Sequence, residues 1–210
     1  MAVGGRTLSY SNQSVFQRYA DKRGLLSKPI IIGGEYFSLI TANAFIDRKL
    51  LIRIGGFDKF FDNILGSCGG EDADISYKIR DFGISITFCE KAIIYHMHRY
   101  NLKSFISQQI RNGKGLILHT QFRNINIESL GFPKPTLFSI MKHLAEFIFI
   151  NKDGSPSLLS RAMDYYKCDT LTLKDQFFFP LIDLLRRVSY YIGIFKGYKI
   201  YLSHHDSSNM

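Results

Sequence analysis

The sequence predicts an α/β fold followed by a helical C-terminal region, and three observations support this. Isoleucine and phenylalanine recur at helical spacing in residues 73–82, and residues 84–89 alternate with the period of a strand. Residues 137–150 are strongly apolar. The chain of 210 residues is long enough for one domain with an appendage. We therefore predict an α/β domain over 1–123 and a helical, aromatic and basic region over 124–210.

The first half of the chain predicts a short strand and two helices. Ile30, Ile31 and Ile32 form either a short buried strand or a packed loop. The first helix is 45–54, with Gly55 where a left-handed residue ends a helix. The second helix is 73–82, because Ile75, Ile79 and Phe82 share one face before Gly83.

Two extended segments and another helix follow. Residues 84–89 and 92–98 predict two strand segments. A helix is then expected from Leu102, capped by Asn101 and ended by Gly113.

The last region offers two interpretations. Residues 177–194 are aromatic and basic but are interrupted by Pro180, Asp183 and the pair Arg186 and Arg187. They are too interrupted to span a bilayer, which needs about 20 apolar residues. The segment either lies in the interface of an anionic membrane or packs on the globular body as core.

Charge and cysteine content narrow the function classes. The net charge of +9 fits nucleic acid, an anionic membrane surface or an anionic substrate. Lysine and arginine are dispersed and no recognition motif occurs, so we expect no nucleic-acid partner. Cys68, Cys89 and Cys168 form no CxxC pair, and the first residues lack a signal-peptide pattern. We expect a cytoplasmic protein, peripheral at the cytoplasmic face of a membrane if the C-terminal helices bind there.

The stretch GGEDADIS, residues 69–76, supports two interpretations by itself. Acidic residues in the first turn of a helix are favourable because free N–H groups attract negative charge. The same geometry would keep a carboxylate ionised and aimed at a ligand that the glycines let approach. The stretch alone does not decide between capping and catalysis.

Five motifs in order bear on that choice. They are Asn43 to Arg48 (NAFIDR), Gly55 to Asp58 (GGFD), Gly70 to Asp74 (GEDAD), His96 to Arg99 (HMHR) and Gln109 to Gly115 (QIRNGKG). Their order and spacing resemble the C-terminal, acceptor-binding half of family 2 glycosyltransferases with the GT-A fold. The GGFD and GED pieces are also similar to the C-terminal domain of galactosyltransferases. The resemblance covers about residues 1–123 and implies a mixed sheet with flanking helices.

The resemblance implies roles for the acidic motif and its neighbours. Asp72 would be the general base that deprotonates an acceptor hydroxyl, which then attacks a nucleotide-sugar with inversion. The implied acceptor-binding residues are Glu71, Asn43, Gly70, Phe57 and Asp58, with Asn43 at the floor of the cleft. Asp74 lies further into the helix and is expected to be structural.

The resemblance also implies contacts to the sugar donor. Arg99, Arg111 and Lys114 would bind the donor phosphates, because guanidinium and ammonium groups suit a diphosphate. A divalent metal, Mn²⁺ or Mg²⁺, is expected, with His96 as its candidate contact. His98 shares the strand face of His96. The alternative for the histidines is polar packing, and for the cations a solvated basic face.

We expect the donor-binding half that such enzymes carry to be missing, because no Asp-x-Asp metal motif precedes the resembling motifs. Asp72-Ala73-Asp74 has the spacing but lies in the acceptor helix and is not assigned as that motif. We expect a domain fragment, one chain of a split enzyme whose partner chain supplies that half, or a truncated relative that no longer catalyses. An exposed apolar edge is expected where the donor half docks. The leading hypothesis is transfer of a sugar from a nucleotide-sugar to a saccharide or lipid-linked acceptor. The alternative is an inactive module that binds an acceptor or a partner.

Overall fold

The computed structural model describes residues 1–27, 31–32, 35–36, 38–59, 70–151 and 156–208. The chain divides into two units, Met1–Tyr100 and Asn101–Met210. This division falls earlier than the predicted boundary at residue 123, because the helix that follows Asn101 packs along the C-terminal helix. The first unit is α/β and the described part of the second is helical, so the predicted α/β class with a helical C-terminal region is confirmed at that level.

The first unit contains five strands and three helices among the described residues. The strands are β1 (Ala2–Ser9), β2 (Ile31–Ile32), β3 (Glu35–Tyr36), β4 (Ala44–Ile46) and β5 (Ile86–His96). The helices are α1 (Val15–Lys22), α2 (Arg48–Arg53) and α3 (Glu71–Asp81), with a 3₁₀ turn at Thr41–Asn43.

The main sheet is mixed, with strand order β4-β1-β5. Strand β4 is antiparallel to β1 and β5 is parallel to it. The β1–β5 register shifts between Gly5, which pairs with Cys89, and Arg6, which pairs with Ile93. Residues 90–92 therefore bulge out of the ladder, and the two segments predicted at 84–89 and 92–98 form one strand.

The core of the first unit lies between this sheet and α2 and α3. Its buried members are Ala2, Leu39, Leu50, Ile54, Ile75, Ile79 and Ile86. Ile75 and Ile79 are fully buried, as the helical spacing predicted. Phe82 departs from that prediction: it lies beyond the last turn of α3, is 46% exposed and sits under the Arg53 guanidinium.

The helix predicted at 45–54 begins later than expected. Residues 44–46 pair with β1 as β4, and the Asp47 side chain accepts a hydrogen bond from Leu50 N, so the helix starts at Arg48. Its end agrees with the prediction, because Gly55 follows with a φ of +80°. Helix α3 ends in the same way, with Gly83 at a φ of +72°.

The second unit contains four helices among the described residues. They are α4 (Leu102–Phe122), α5 (Leu137–Phe149), α6 (Leu158–Tyr166) and α7 (Leu173–Ser208), with a 3₁₀ turn at Ile127–Leu130. The residues that interrupt the apolar pattern of 177–194 do not end the helix, because α7 continues through Pro180. It buries Phe179, Ile182 and Ile194, and Asp183 accepts a hydrogen bond from the Tyr165 hydroxyl. None of the described helices is long and apolar enough to cross a membrane.

Helices α4 and α7 approach each other at glycines. A Cβ at Gly113 would overlap the carbonyl oxygen of Tyr190, and a Cβ at Gly193 would overlap that of Ile110. This contact explains why α4 does not end at Gly113 as predicted. Gly113 is buried within α4, at a point where the two backbones are too close together for any side chain to fit.

Replacing Gly113 with alanine tests this close approach. In an exposed helix, glycine to alanine stabilises by about 1 kcal/mol, so a loss of stability would report the overlap itself. We expect Gly113→Ala to lower the free energy of unfolding by about 1–3 kcal/mol, measured by denaturant unfolding. Ser107→Ala on the exposed side of α4 is the control, and a Gly113→Ala protein as stable as that control would contradict the packing.

Candidate active site around Asp72

The acidic motif lies at the start of α3. Gly70 is the N-cap residue with a φ of +112°, and Glu71 and Asp72 are the first two residues of the helix. Gly69, the other glycine of the motif, is outside the described residues. Glu71 is exposed and Asp72 is half-buried. The first turn thus presents two carboxylates in different environments.

Asp72 is held by one residue of the 3₁₀ turn. Its Oδ1 atom accepts a hydrogen bond from the backbone N–H of Thr41 at 3.1 Å and another from the Thr41 hydroxyl. Both bonds go to the same oxygen, so Thr41 fixes the carboxylate while Oδ2 is not engaged by it. This oxygen is the atom that could accept a proton from a ligand.

The pKa of Asp72 is raised above its ordinary value. Burial is the main cause, and the negative charge of Glu71 adds to it, while the two Thr41 hydrogen bonds oppose the rise. Burial thus outweighs the two Thr41 hydrogen bonds, which favour the charged form. A raised pKa makes a carboxylate a stronger base than an ordinary aspartate.

A buried hydroxyl fixes the first turn of α3 to the preceding segment. Ser76 Oγ donates to the Asp72 carbonyl oxygen at 2.5 Å and accepts from Leu39 N at 2.8 Å. Because Leu39 leads into the Thr41–Asn43 turn, the backbone of Asp72 and its side chain are both tied to residues 39–41. The position of the carboxylate is therefore set by the Thr41 backbone and hydroxyl together with the Ser76 hydroxyl.

The GGFD turn is connected to α3 through a lysine. Lys78 Nζ donates to the Gly56 carbonyl oxygen at 3.1 Å and forms an ion pair with the buried Asp74 at 3.0 Å. Near this anchor Phe57 is 47% exposed and Asp58 is half-buried. The structure thus links GGFD to the acidic helix, with the ring of Phe57 accessible to a ligand.

Asn43 has a structural task at the sheet bulge. Its side-chain Nδ2 donates to the carbonyl oxygens of Arg6 and Ala92, both at 2.9 Å. A Cβ at Gly5 would overlap this amide and the Ala92 carbonyl, so glycine is needed there. Both amide hydrogens of Asn43 hold the bulge closed, and a ligand at Asn43 would have to use its oxygen.

The two histidines lie together where β5 ends. The ring centroids of His96 and His98 are 5.2 Å apart. Burial lowers the pKa of both rings, helped by Arg99 at His96 and by His96 at His98, where Asp21 opposes the change. Both are therefore neutral at pH 7, the form that binds metal ions.

The fit to a metal is incomplete in the described part of the chain. The buried Nδ1 atom of His96 has no hydrogen-bond partner there, which suits a ligand atom. However, no group of three or more histidine, cysteine or acidic side chains that could hold a metal ion occurs among the described residues. We therefore assign no chemical step to a metal.

The three predicted phosphate contacts fall in different units. Arg99 is exposed in the first unit, and Arg111 and Lys114 are half-buried on α4 in the second. Arg111 and Lys114 are three residues apart and so share a helix face. Arg111 and Lys114 therefore lie close together on α4, whereas Arg99 belongs to the other unit.

Comparison with known proteins adds no relative. Protein-family models, curated proteins and solved structures each gave no significant match to this chain.

The roles of Thr41, Ser76 and Lys78 at this site were not anticipated from the sequence. For Thr41, which lies 31 residues before Asp72, no local pattern connects the two positions.

The Thr41 hydroxyl provides a test of the electrostatics. Its hydrogen bond favours the ionised form, so Thr41→Val should raise the pKa of Asp72 further, while Thr41→Ser should leave it near the wild-type value. The measurement is a ¹³C NMR titration of the side-chain carboxyl, assigned by its disappearance in Asp72→Asn. An unmoved titration in Thr41→Val would show that the hydroxyl does not hold Asp72.

Proposed function

We propose that this chain is an inverting glycosyltransferase, or the acceptor-binding half of one, with Asp72 as its general base. The observation that carries the proposal is the setting of Asp72. It is half-buried beside an exposed Glu71, is fixed through one oxygen by Thr41, and has a raised pKa. The five ordered motifs supply the reaction class, and the mixed sheet is compatible with a partial GT-A fold.

In the proposed reaction, Asp72 Oδ2 takes the proton of an acceptor hydroxyl. The hydroxyl oxygen forms a bond to the anomeric carbon of a nucleotide-sugar, on the face opposite the leaving group. The bond from that carbon to the nucleoside diphosphate breaks, and the diphosphate leaves with the electron pair. The configuration at the carbon inverts, and Asp72 ends the reaction protonated.

The acceptor is assigned to the surface around the start of α3. Gly70 has no side chain to obstruct an approaching sugar, and Glu71 is an exposed acceptor of hydrogen bonds. The exposed Phe57 ring suits the apolar face of a sugar, with Asp58 beside it for hydroxyl groups. Asn43 contributes by keeping the bulged sheet and the Thr41 turn in place.

The donor is assigned to the basic residues, and the metal remains an expectation of the resemblance. Within the first unit, Arg99 is the proposed contact to the diphosphate of the nucleotide-sugar, and Arg111 and Lys114 in the second unit stay contacts that the resemblance implies. A bound Mn²⁺ or Mg²⁺ would offset charge on the leaving diphosphate, and His96 is the residue proposed to touch it.

A separate chain that supplies the donor half is the proposed partner. Ile93, Tyr95 and Met97 are all at least 46% exposed and alternate along one side of β5 and its extension. Strand β5 is one of the two outer strands of the described three-stranded sheet. An exposed apolar row on an outer strand is a surface on which another polypeptide can pack.

Asp72→Asn tests the reaction. We expect loss of sugar transfer by about 100-fold or more, assayed with a panel of nucleotide-sugars, Mn²⁺ or Mg²⁺, and saccharide or lipid-linked acceptors. Asparagine can still accept a hydrogen bond from Thr41.

Because the pKa of Asp72 in the folded protein is raised, the contribution of this group to stability is present at low pH and is lost as the pH rises through that pKa. Removing the charge should therefore leave stability at pH 7 equal or higher.

The same assay separates the enzyme from a binding module. Wild-type protein that transfers sugar while folded Asp72→Asn does not supports the enzyme. Zero turnover in both, even with the product of the neighbouring reading frame supplied, favours the module. Binding of the acceptor panel, followed by NMR shifts near Phe57 and Glu71, would then identify what the module holds.

We also propose that the second unit contacts an anionic membrane surface through α5. Phe138, Met141 and Phe149 on this helix are 82%, 58% and 68% exposed. Lys134 and Lys142 nearby in the chain are each 64% exposed, and they lie 3.4 Å from Glu128 and 4.0 Å from Glu146, so their charges face solvent but are partly offset. Aromatic bulk with flanking lysines is typical of interfacial helices. Helix α7, whose apolar face forms core, is the weaker candidate.

Co-sedimentation with vesicles tests this proposal with substitutions that leave the core intact. Phe138→Ser with Phe149→Ser should weaken binding to vesicles containing phosphatidylglycerol by about tenfold or more, since each ring removes apolar area. Leu102→Ser, at an exposed position of α4, is the control. Binding that is equal in all three proteins, or absent in the wild type, would contradict the proposal.

A further inference from the structure

The second unit contains a cavity that none of the functions above uses. It has a volume of about 360 Å³ and is lined by residues of the 130–132 segment and of α5, α6 and α7. All its lining residues lie within residues 130–191, inside one unit of the chain. A volume of this size suits a small organic molecule.

Two guanidinium groups converge on one aromatic ring in the wall of this cavity. The Cζ atoms of Arg187 and Arg161 lie 4.6 Å and 5.4 Å from the centre of the Phe147 ring. Arg161 is compensated by the buried Asp183 at 3.6 Å. Arg187 forms no ion pair with a described carboxylate. Its guanidinium lies over the ring faces of Phe147 and Tyr191 and donates a hydrogen bond to the Tyr191 hydroxyl. Arg187 thus brings to this ring a positive charge that no described carboxylate pairs with directly.

The Tyr191 hydroxyl adds a second donor beside Arg187. Tyr191 is 2% exposed, and its oxygen accepts a hydrogen bond from Arg187 Nη1 at 3.5 Å. The hydroxyl hydrogen itself has no acceptor among the described residues. A buried hydroxyl normally donates, so an acceptor in the cavity would complete this arrangement.

The remaining lining sets the character of the ligand. Leu130, Phe132, Phe147 and Ile150 give apolar walls that a ring-sized group can contact. Glu146 also lines the cavity, and Lys142 lies 4.0 Å from its carboxylate, so its charge is partly offset. His143 Nδ1 donates to the Ser139 carbonyl, which leaves Nε2 for the cavity. The lining combines a guanidinium that has no ion pair among the described residues, a hydroxyl donor and aromatic walls.

We propose that this cavity binds an organic oxyanion, a carboxylate or phosphate carried on an aromatic or similarly flat apolar body. The anionic oxygens accept from Arg187 and from the Tyr191 hydroxyl, and the flat body packs between Phe132, Phe147 and Ile150. Hydrogen bonds between a guanidinium and an oxyanion are the strong, directional kind that select this class of ligand. The proposal does not depend on sugar transfer, because every residue involved lies in the second unit.

NMR titration of the full chain with four probes tests the proposal. Phenyl phosphate and benzoate carry both features, inorganic phosphate carries only the charge, and benzyl alcohol carries only the ring. We expect the two aryl anions to shift the methyl signals of Leu130 and Ile150 and to bind more tightly than either single-feature probe. Absence of binding by both aryl anions, or equal binding of inorganic phosphate, would overturn the proposal.

Two substitutions locate the binding. Arg187→Met keeps the aliphatic stem over Phe147 but removes the charge, so aryl-anion affinity should fall about tenfold or more. Arg186→Met, the adjacent arginine outside the cavity lining, is the matched control and should bind as the wild type does. Equal weakening in both proteins would mean a diffuse basic surface and would overturn the proposal. If Arg187→Met does not fold, Tyr191→Phe, which removes only the hydroxyl, should weaken binding severalfold, and unchanged binding would count against the site.

Discussion

The hydrogen bonds from Thr41 to Asp72 are the interaction on which the candidate site depends. The Thr41–Asn43 turn reaches in two directions, since Thr41 holds the carboxylate at the start of α3 and Asn43 holds the β1–β5 bulge. Ser76 adds a third tie between α3 and the segment before the turn. The Thr41–Asn43 turn and the buried Ser76 hydroxyl therefore position the start of α3, the β1–β5 bulge and the proposed catalytic carboxylate of Asp72.

This arrangement resolves an electrostatic conflict at Asp72. A helix N-terminus and two donors from Thr41 favour the ionised carboxylate, while burial and Glu71 favour the protonated one. Burial has the larger effect, so the pKa of Asp72 is raised even though two hydrogen bonds hold its carboxylate in position. A general base benefits from this combination, because fixed geometry and basicity are both retained.

The sequence predicted the parts of the fold that depend on local periodicity. Ile75 and Ile79 identified α3, and Gly55 and Gly83 marked the ends of two helices. The errors came from distant partners. Pairing with β1 turned residues 44–46 into a strand, and contact with α7 carried α4 through Gly113. Thr41 and Arg187 were missed for the same reason, since their importance arises from residues brought near them by folding.

The glycine contact between α4 and α7 gives the second unit a one-sided tolerance to change. In most protein cores a side chain can be replaced by a smaller or a larger one, and the neighbouring side chains adjust to the cavity or to the added volume. At Gly113, Gly193 and Gly197 the side chain is already a hydrogen atom, so substitution can only add volume against a neighbouring helix. The separation of the two helices is thus set by backbone dimensions, and compensating changes elsewhere in the core cannot restore it once it is lost.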